Sequence, residues 1–584
     1  MKIFLLCVLI LPCTITNLEA QTFDILKYDW RARADSIWGS LPASEELKNF
    51  DSVWSVMDQK FACFQNLEVD WNAIKAKYRP EIASGVSRGR FAAILSQLTI
   101  ALMEPHTHIG DPVITNVSYG TPGVPMLFSG GWGYDSCFGA ALTSLDDRTI
   151  LVYKSVPSHP LGLVPGDIVL GYDGIPWNQL YPQLLKMEIP ISFTSYWGGN
   201  ASAFAHSWLQ SVGRNWHLFD TIDVIRYSTK DTVHLPTSLL IGKKFSVFCT
   251  EQLPVPGVPI TDSINSRKDV TWGIVQGTNI GYIYSWSWFY SGTHFRNAID
   301  SLTRVYNVDG LVIDVRANGG GYVDFADEGL SLLFHSEPPL LYLAQRNNPL
   351  DHFSMIGSET FSMYLDSTRF FDRPITVLMG QNSVSANDFI AAQLRNHPKA
   401  RFFGRSPASG YASATTATFD STCYAIYAHL NGYVLKDSIP QYLTHLQFQM
   451  DDSTWFTPDG VRRGEDGAAQ KAIDWIKSMT KVDSRTIAQS PKVFVLNQNY
   501  PNPFNPSTTI GFNLPRDSRI KLEVFNTLGQ RVAELLSGEF KAGFREVVWH
   551  ATVASGMYFY RIEATELDNP EGHYISTKKM LLIR

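Results

Sequence analysis

Two short apolar runs constrain this chain more than any other feature: Leu311-Val312-Ile313-Asp314-Val315 and Ile375-Thr376-Val377-Leu378-Met379. Each reads as a buried strand, and each ends in a chemically unusual loop. The first opens into Arg316-Ala317-Asn318-Gly319-Gly320-Gly321. The second opens into Gly380-Gln381-Asn382-Ser383-Val384-Ser385-Ala386-Asn387-Asp388, with a helical stretch from Phe389 to Leu394 behind it. Glycines at a strand end leave backbone N–H groups unobstructed. Small polar residues that open a helix set a hydroxyl at its positive end. Side by side, the two loops supply donors for an oxyanion and a serine to attack, the two halves of an acyl-transfer site.

The motifs Asp314 to Gly321 and Ser383 to Asp388 resemble those of the S41 family of serine peptidases, the C-terminal processing and tricorn-like proteases. The resemblance implies an α/β core of the ClpP/crotonase type and puts the nucleophile at Ser385. The backbone N–H groups of Ala386 and of Gly319 or Gly320 would hold the oxyanion, while Asp314, Arg316 and Asn318 support the glycine loop. Upstream stands Leu102-Met103-Glu104-Pro105-His106-Thr107-His108 at the end of a helical stretch. Histidines in that position suit a metal pair, a cap or a base. Tricorn-like members carry their base in a segment of the form Leu-x-Asp-x-His-Thr, which implies His106 here, with Glu104 where an Asp is usual. Processing proteases instead hold a general-base Lys after a glycine that matches Gly404. Gly410 falls at its place, and no Lys occurs between Lys399 and Lys436. A Ser–His mechanism is therefore expected. The family's acid stands just before a pair matching Gly460-Val461, but Thr457 lies three residues before Gly460. Asp459 is the first substitute and Glu465 the second, and either also suits a turn.

The rest of the chain divides around this core. With 584 residues, about three or four domains are expected. Met1 to Ala20 reads as a signal peptide with cleavage before Gln21. Residues 21–109 carry apolar stripes at helical spacing, such as Leu47, Phe50, Val53, Trp54, Met57 and Phe61, and make a helical domain. Residues 110–190 are rich in strand and glycine signals. Their Pro165-Gly166-Asp167 turn and Asp173-Gly174 hairpin resemble a PDZ domain, which implies capture of an extended peptide. A connecting region, 191–270, has strand-like pieces at Leu239 to Ile241 and Phe245 to Phe248 and no evident chemistry. The catalytic core covers 271–480, with a helix expected from Thr293 to Val305. After a polar linker at 481–495, residues 496–584 alternate in short strands, a small β-sandwich pattern. Leu496 to Ile510 and the basic end Lys578 to Arg584 resemble the C-terminal sorting domain of type IX secretion cargo. The expected fold is thus multidomain α+β.

Composition narrows the function. A net charge of −6 without basic tracts gives no sign of nucleic-acid binding. No later stretch is apolar enough to span a membrane. Of six cysteines, Cys7 and Cys13 fall in the signal. The remaining Cys63, Cys137, Cys249 and Cys423 permit disulfides without fixing a pairing. No CxxC or zinc-ligand spacing occurs, so neither metal nor other cofactor is expected. The resemblance implies a secreted or outer-membrane-surface serine endopeptidase. Its partners would be a peptide or protein substrate and the type IX machinery. The alternative is a catalytically silent, PDZ-bearing protein that binds peptides or other ligands on the same scaffold.

Overall fold

The computed structural model describes residues 29–583 apart from 118–119, 131–132, 194–196, 366–369, 421–422, 482–493, 500–501 and 570. The expected signal peptide and most of the expected linker lie outside the described residues. The chain forms two compact units, Met1–Ile476 and Lys477–Arg584.

The first unit is built on a five-stranded sheet. In spatial order its strands are Val270–Ile274, Ile280–Ser285, Gly310–Asp314, Ile375–Met379 and Ala400–Gly404. All neighbours after the first pair run parallel. Gly310–Asp314 and Ile375–Met379, the two runs singled out in the sequence, are central and adjacent, with Leu311 opposite Ile375 and Asp314 opposite Leu378. Every residue of both strands is buried. One face rests on a core that includes Ile313, Val377, Phe295 and Ile390, and the other on one that includes Val312, Leu378, Trp286 and Ile476. Because both loops leave the same end of adjacent parallel strands, they must meet.

Helix Gly292–Asp300 connects two of these strands and runs on through a π-helical turn, Ser301–Val305. A second sheet has the order His108–Gly110, Cys423–Lys436, Leu341–Arg346, Met355–Phe361, with Ala412–Asp420 and Ile439–Tyr442 also paired to the long strand Cys423–Lys436. Ahead of it come four helices, Trp30–Trp38, Ala43–Lys60, Trp71–Ala83 and Arg88–Leu102. Their apolar stripes pack with the sheet: Phe50, Val53, Met57 and Leu95 share one core with Ala425 and Ala428.

An antiparallel sheet has the order Thr232–Pro236, Thr221–Ile225, Ile168–Tyr172, Ile150–Ser155, Ala140–Ser144. Asp173 and Gly174 turn its hairpin with positive φ at both residues, as an Asp-Gly turn requires. This sheet does not end near residue 190: two of its strands and helix Ala201–Gln210 come from the stretch expected to be a connector. Within that stretch Leu239 and Leu240 lie in a 3-10 turn, Thr237–Leu240, rather than a strand. The four described cysteines are free thiols. Among the described residues, no helix is long and apolar enough to cross a membrane.

The second unit holds a three-stranded and a four-stranded antiparallel sheet. Ile510 and Phe512 from the first share a core with Leu522, Val524, Tyr560 and Ile562 from the second. The Tyr560 hydroxyl donates to the Asn497 carbonyl and accepts from the Asn499 N–H, which anchors the segment after Leu496.

Candidate active site

Ser385 stands at the turn between strand Ile375–Met379 and helix Ala386–Leu394. Its backbone is in an unusual conformation for a side-chain-bearing residue, φ 65° and ψ −128°. Such strain persists only where the surroundings impose it. Here they do. The Ser383 hydroxyl donates to the Val315 carbonyl at 2.7 Å, and the Val384 N–H donates to the Asn318 carbonyl. The Asp388 carboxylate reaches back to the Ser385 N–H at 2.9 Å. Asn382 is held by Glu251 at 3.0 Å. Between Gln381 and Ile390, Ser385 is the one residue with partial access to solvent.

The glycine loop meets this turn directly. A Cβ on Gly320, whose φ is +86°, would sit 2.6 Å from the Ser385 Cβ and 3.2 Å from the Ala386 nitrogen. Only glycine permits that approach. The Ala386 N–H, first in its helix, has no intrahelical acceptor and lies at the positive end of the helix dipole. The other expected oxyanion donors differ from the sequence reading. The Gly319 N–H donates to the Trp286 carbonyl at 3.3 Å, and the Gly320 N–H donates to Asn318 Oδ1 at 2.8 Å. In this arrangement both are occupied, and of the three expected donors Ala386 is the one at a helix N-terminus.

Asp314 and Arg316 support the loop from within. Arg316 is fully buried between Asp314 and Asp466, with contacts of 2.6–3.0 Å to each. Tyr282 and Gln252 complete the coordination of Asp314. The guanidinium is pushed well above its usual range, because the two carboxylates outweigh its loss of hydration. Asp466 follows Glu465 in the sequence and was not among the expected site residues.

His106 arrives from far away in the sequence. Helix Arg88–Leu102 ends with Met103 in the left-handed region, and the Thr107 N–H closes a turn onto the Glu104 carbonyl. Strand His108–Gly110 then pairs with the long strand, His108 opposite Ile426. That pairing delivers His106 to the core. A Cβ on Gly410 would lie 3.1 Å from His106 Cε1 and 2.6 Å from Pro105 Cγ. The position that would carry the lysine base is therefore filled by the histidine segment, and a side chain there would collide with it. The Gly410 N–H and the Ser385 N–H donate to the same Asp388 oxygen. Ser385 and His106 are thus set around one buried carboxylate.

The acid beside His106 is neither of the two expected. His106 Nδ1 lies 2.7 Å from Glu104 Oε1, while Glu104 Oε2 accepts from the Thr107 hydroxyl and the His106 N–H. Glu104 is fully buried. Asp459 instead accepts from the Tyr227 hydroxyl, and Glu465 pairs with Arg463 at the surface. The sequence signal was present, since Glu104 occupies the position where an Asp is usual. Burial opposes the charged form of His106, but Glu104 by charge and hydrogen bond, with Asp388 behind it, raises its pKa above the ordinary value. Burial likewise opposes the Glu104 carboxylate, yet His106 and Thr107 hold it below its usual range. Burial pushes Asp388 up to about 7 against its three backbone hydrogen bonds. His108 is driven down to about 4 by burial.

Three family models match parts of the chain. A family model described as peptidase family S41 matches residues 279–444. One described as the tricorn protease C1 domain matches 42–99, and one described as a secretion system C-terminal sorting domain matches 498–570. The carboxy-terminal processing protease CtpB of Bacillus subtilis (strain 168) is 29% identical over 139 residues, 24% of this chain and 26% of that protein. The nisin-resistance protein of Lactococcus lactis subsp. lactis is 25% identical over 195 residues, 32% of this chain and 56% of that one. The chain thus spans about a quarter and just over half of these two relatives. The structure of mature CPAF complexed with lactacystin superposes with a TM-score of 0.55 at 12% identity, over 76% of this chain and 99% of that one. At that identity the likeness concerns the fold alone.

Proposed function

From the premise that the chain carries a peptidase family S41 domain and a secretion-system sorting domain, we propose that it is a secreted or surface-held serine endopeptidase working through an acyl-enzyme at Ser385. Ser385 Oγ attacks the peptide carbonyl. With its Nδ1–H donated to Glu104, His106 carries its lone pair on Nε2, takes the serine proton there and returns it to the departing amine. Water then repeats the attack on the ester with the same base. Glu104 holds the tautomer and stabilises the imidazolium. The Ala386 N–H at the helix terminus receives the oxyanion, and the Gly320 N–H joins it when Asn318 Oδ1 lets go. An N-terminal signal and then the type IX machinery would carry it out of the cell, a reading that the sorting domain supports.

The observation that carries this reading is the strained, solvent-reached Ser385 held with His106 around Asp388. The occupied Gly319 and Gly320 donors favour the second reading, a silent binding protein. A serine-reactive phosphonate and an unfolded protein substrate separate the two. The peptidase is labelled at Ser385, and Ser385→Ala loses about 10⁴-fold or more in turnover while melting like the parent. A parent chain that neither labels nor cleaves leaves the binding reading standing.

A further inference from the structure

Three large aromatics lie open to solvent beside the glycine loop: Phe289 is 55% exposed, Tyr290 44% and Tyr322 59%. Single exposed apolar residues are ordinary, but a contiguous group rimming a site is not. The group is fixed to the site through the backbone. The Trp288 N–H donates to the Gly320 carbonyl at 2.8 Å, and the Tyr322 N–H donates to the Trp288 carbonyl at 3.1 Å. Trp288 bridges to Gly321 in parallel, and a Cβ on Gly321 would lie 2.5 Å from the Trp288 carbonyl carbon. Tyr322 lies two positions along the chain from Gly320, which touches Ser385. At about 3.5 Å per residue that is on the order of 7 Å of chain.

Two of the three rings, Phe289 and Tyr322, pack against one another. Phe289 and Tyr322 meet edge-to-face with centroids 6.0 Å apart, and Tyr322 leans on Phe325 at 5.2 Å. Beneath them the Trp288 indole is buried and reaches Asn387 in the nucleophile's helix. The result is a rigid apolar shelf on a scaffold shared with the oxyanion loop. A preformed shelf of this kind binds an apolar side chain with little ordering cost.

We infer that Phe289, Tyr290 and Tyr322 form a specificity shelf that takes a large apolar or aromatic side chain flanking the scissile bond. This rests on the peptidase reading above. It names the substrate class: segments of unfolded protein carrying Phe, Tyr, Leu or Met next to the cleaved bond rather than charged or small residues.

The test uses the full chain and quenched-fluorescence peptides that differ only in the residues flanking the scissile bond, Phe against Ser. For the parent, kcat/KM favours the Phe peptides. In Tyr322→Ala the Phe-over-Ser ratio of kcat/KM falls about tenfold, mostly through a raised KM, and Phe289→Ala gives a smaller fall. Tyr322→Phe keeps the ring and restores the ratio. An unchanged ratio in both alanine variants overturns the shelf while leaving the peptidase reading intact. So does a change in self-association by light scattering with the ratio unmoved, which would make the patch a contact between copies. A parent that cleaves no peptide yet stays folded overturns the peptidase reading, and the shelf with it.

Discussion

The first unit contains two buried histidine–glutamate pairs, and nearly everything around them differs. His106 Nδ1 meets Glu104 Oε1 at 2.7 Å within one short turn. His206 Nε2 stands 3.2 Å from Glu251 Oε1, and its Nδ1 lies 2.8 Å from the Ser144 hydroxyl. Ser144, His206 and Glu251 therefore share the residue types of a catalytic triad, with the two ring nitrogens exchanged. A cavity of about 700 Å³ opens beside Ser144 and His206, so access alone does not separate the pairs.

What separates them is the serine's setting. Ser144 ends a strand and takes an N–H from Arg405. Ser385 is strained, opens a helix and touches Gly320. Glu251 is also committed elsewhere. It accepts from Thr143 at 2.5 Å and from Asn382, three residues before Ser385. The second pair reaches the nucleophile loop through Asn382, and in the proposed mechanism the first does the chemistry. A triad is recognised by where charge can develop, not by three residue types in contact.

The sharpest way to break this comparison is to neutralise each glutamate in turn. Glu104→Gln removes the charge that holds the His106 tautomer, and kcat/KM for protein cleavage drops about 10³–10⁴-fold. Glu251→Gln costs no more than about tenfold. Equal losses would move the chemistry to the second pair. The pH profile adds a signature that a structural role would not give. His106 must be neutral to act as base, and its pKa is raised, so parent activity falls as pH drops through a midpoint above the ordinary histidine value of about 6.5. Without the Glu104 carboxylate that pKa falls, and the acid limb of the residual activity moves to lower pH. A limb that stays in place would show that Glu104 is not the group setting it.

The second glutamate has its larger effect on stability. Glu251 is fully buried and joins Thr143, His206 and Asn382 across three parts of the chain. Replacing its carboxylate with an amide leaves at least one of those donors poorly matched, at a cost of about 1–3 kcal/mol. Urea unfolding followed by tryptophan fluorescence reads this directly. An unshifted midpoint would mean that the contacts are incidental, and the bracing role would be lost.

These two pairs also mark what the sequence can and cannot tell. The glycine loop and the Ser385 turn were legible because each ends a strongly apolar strand, and parallel neighbours must bring their ends together. His106 was legible from its motif. Its partner was marked only by Glu104 standing where the motif has an Asp; that Glu104 reaches the ring depends on the left-handed Met103 and the turn at Thr107, which no periodicity reveals. The oxyanion loop was half legible: the glycines were evident, but the competing acceptors Asn318 Oδ1 and the Trp286 carbonyl are matters of tertiary geometry. His206, Glu251 and Gln252 fell in a stretch without pattern, and their partners lie across the unit in Ser144, Asn382 and Asp314.

The smallest expected effect concerns Asp459 and Glu465, the two substitutes for the acid that the family pattern places elsewhere. Asp459 lies at the start of helix Pro458–Arg463, where its partner is the exposed Tyr227 hydroxyl, and Glu465 shares a surface ion pair with Arg463. Solvent screens exposed pairs of this kind, so they contribute little. Neither acid touches His106, whose Nδ1 is already taken by Glu104. Asp459→Asn and Glu465→Gln should therefore leave kcat/KM within about twofold of the parent, and the acid limb of the pH profile where it was. A loss near that of Glu104→Gln in either variant would mean that the histidine changes partners when substrate binds, and the contrast between the two glutamates would have to be redrawn around the substrate-bound state.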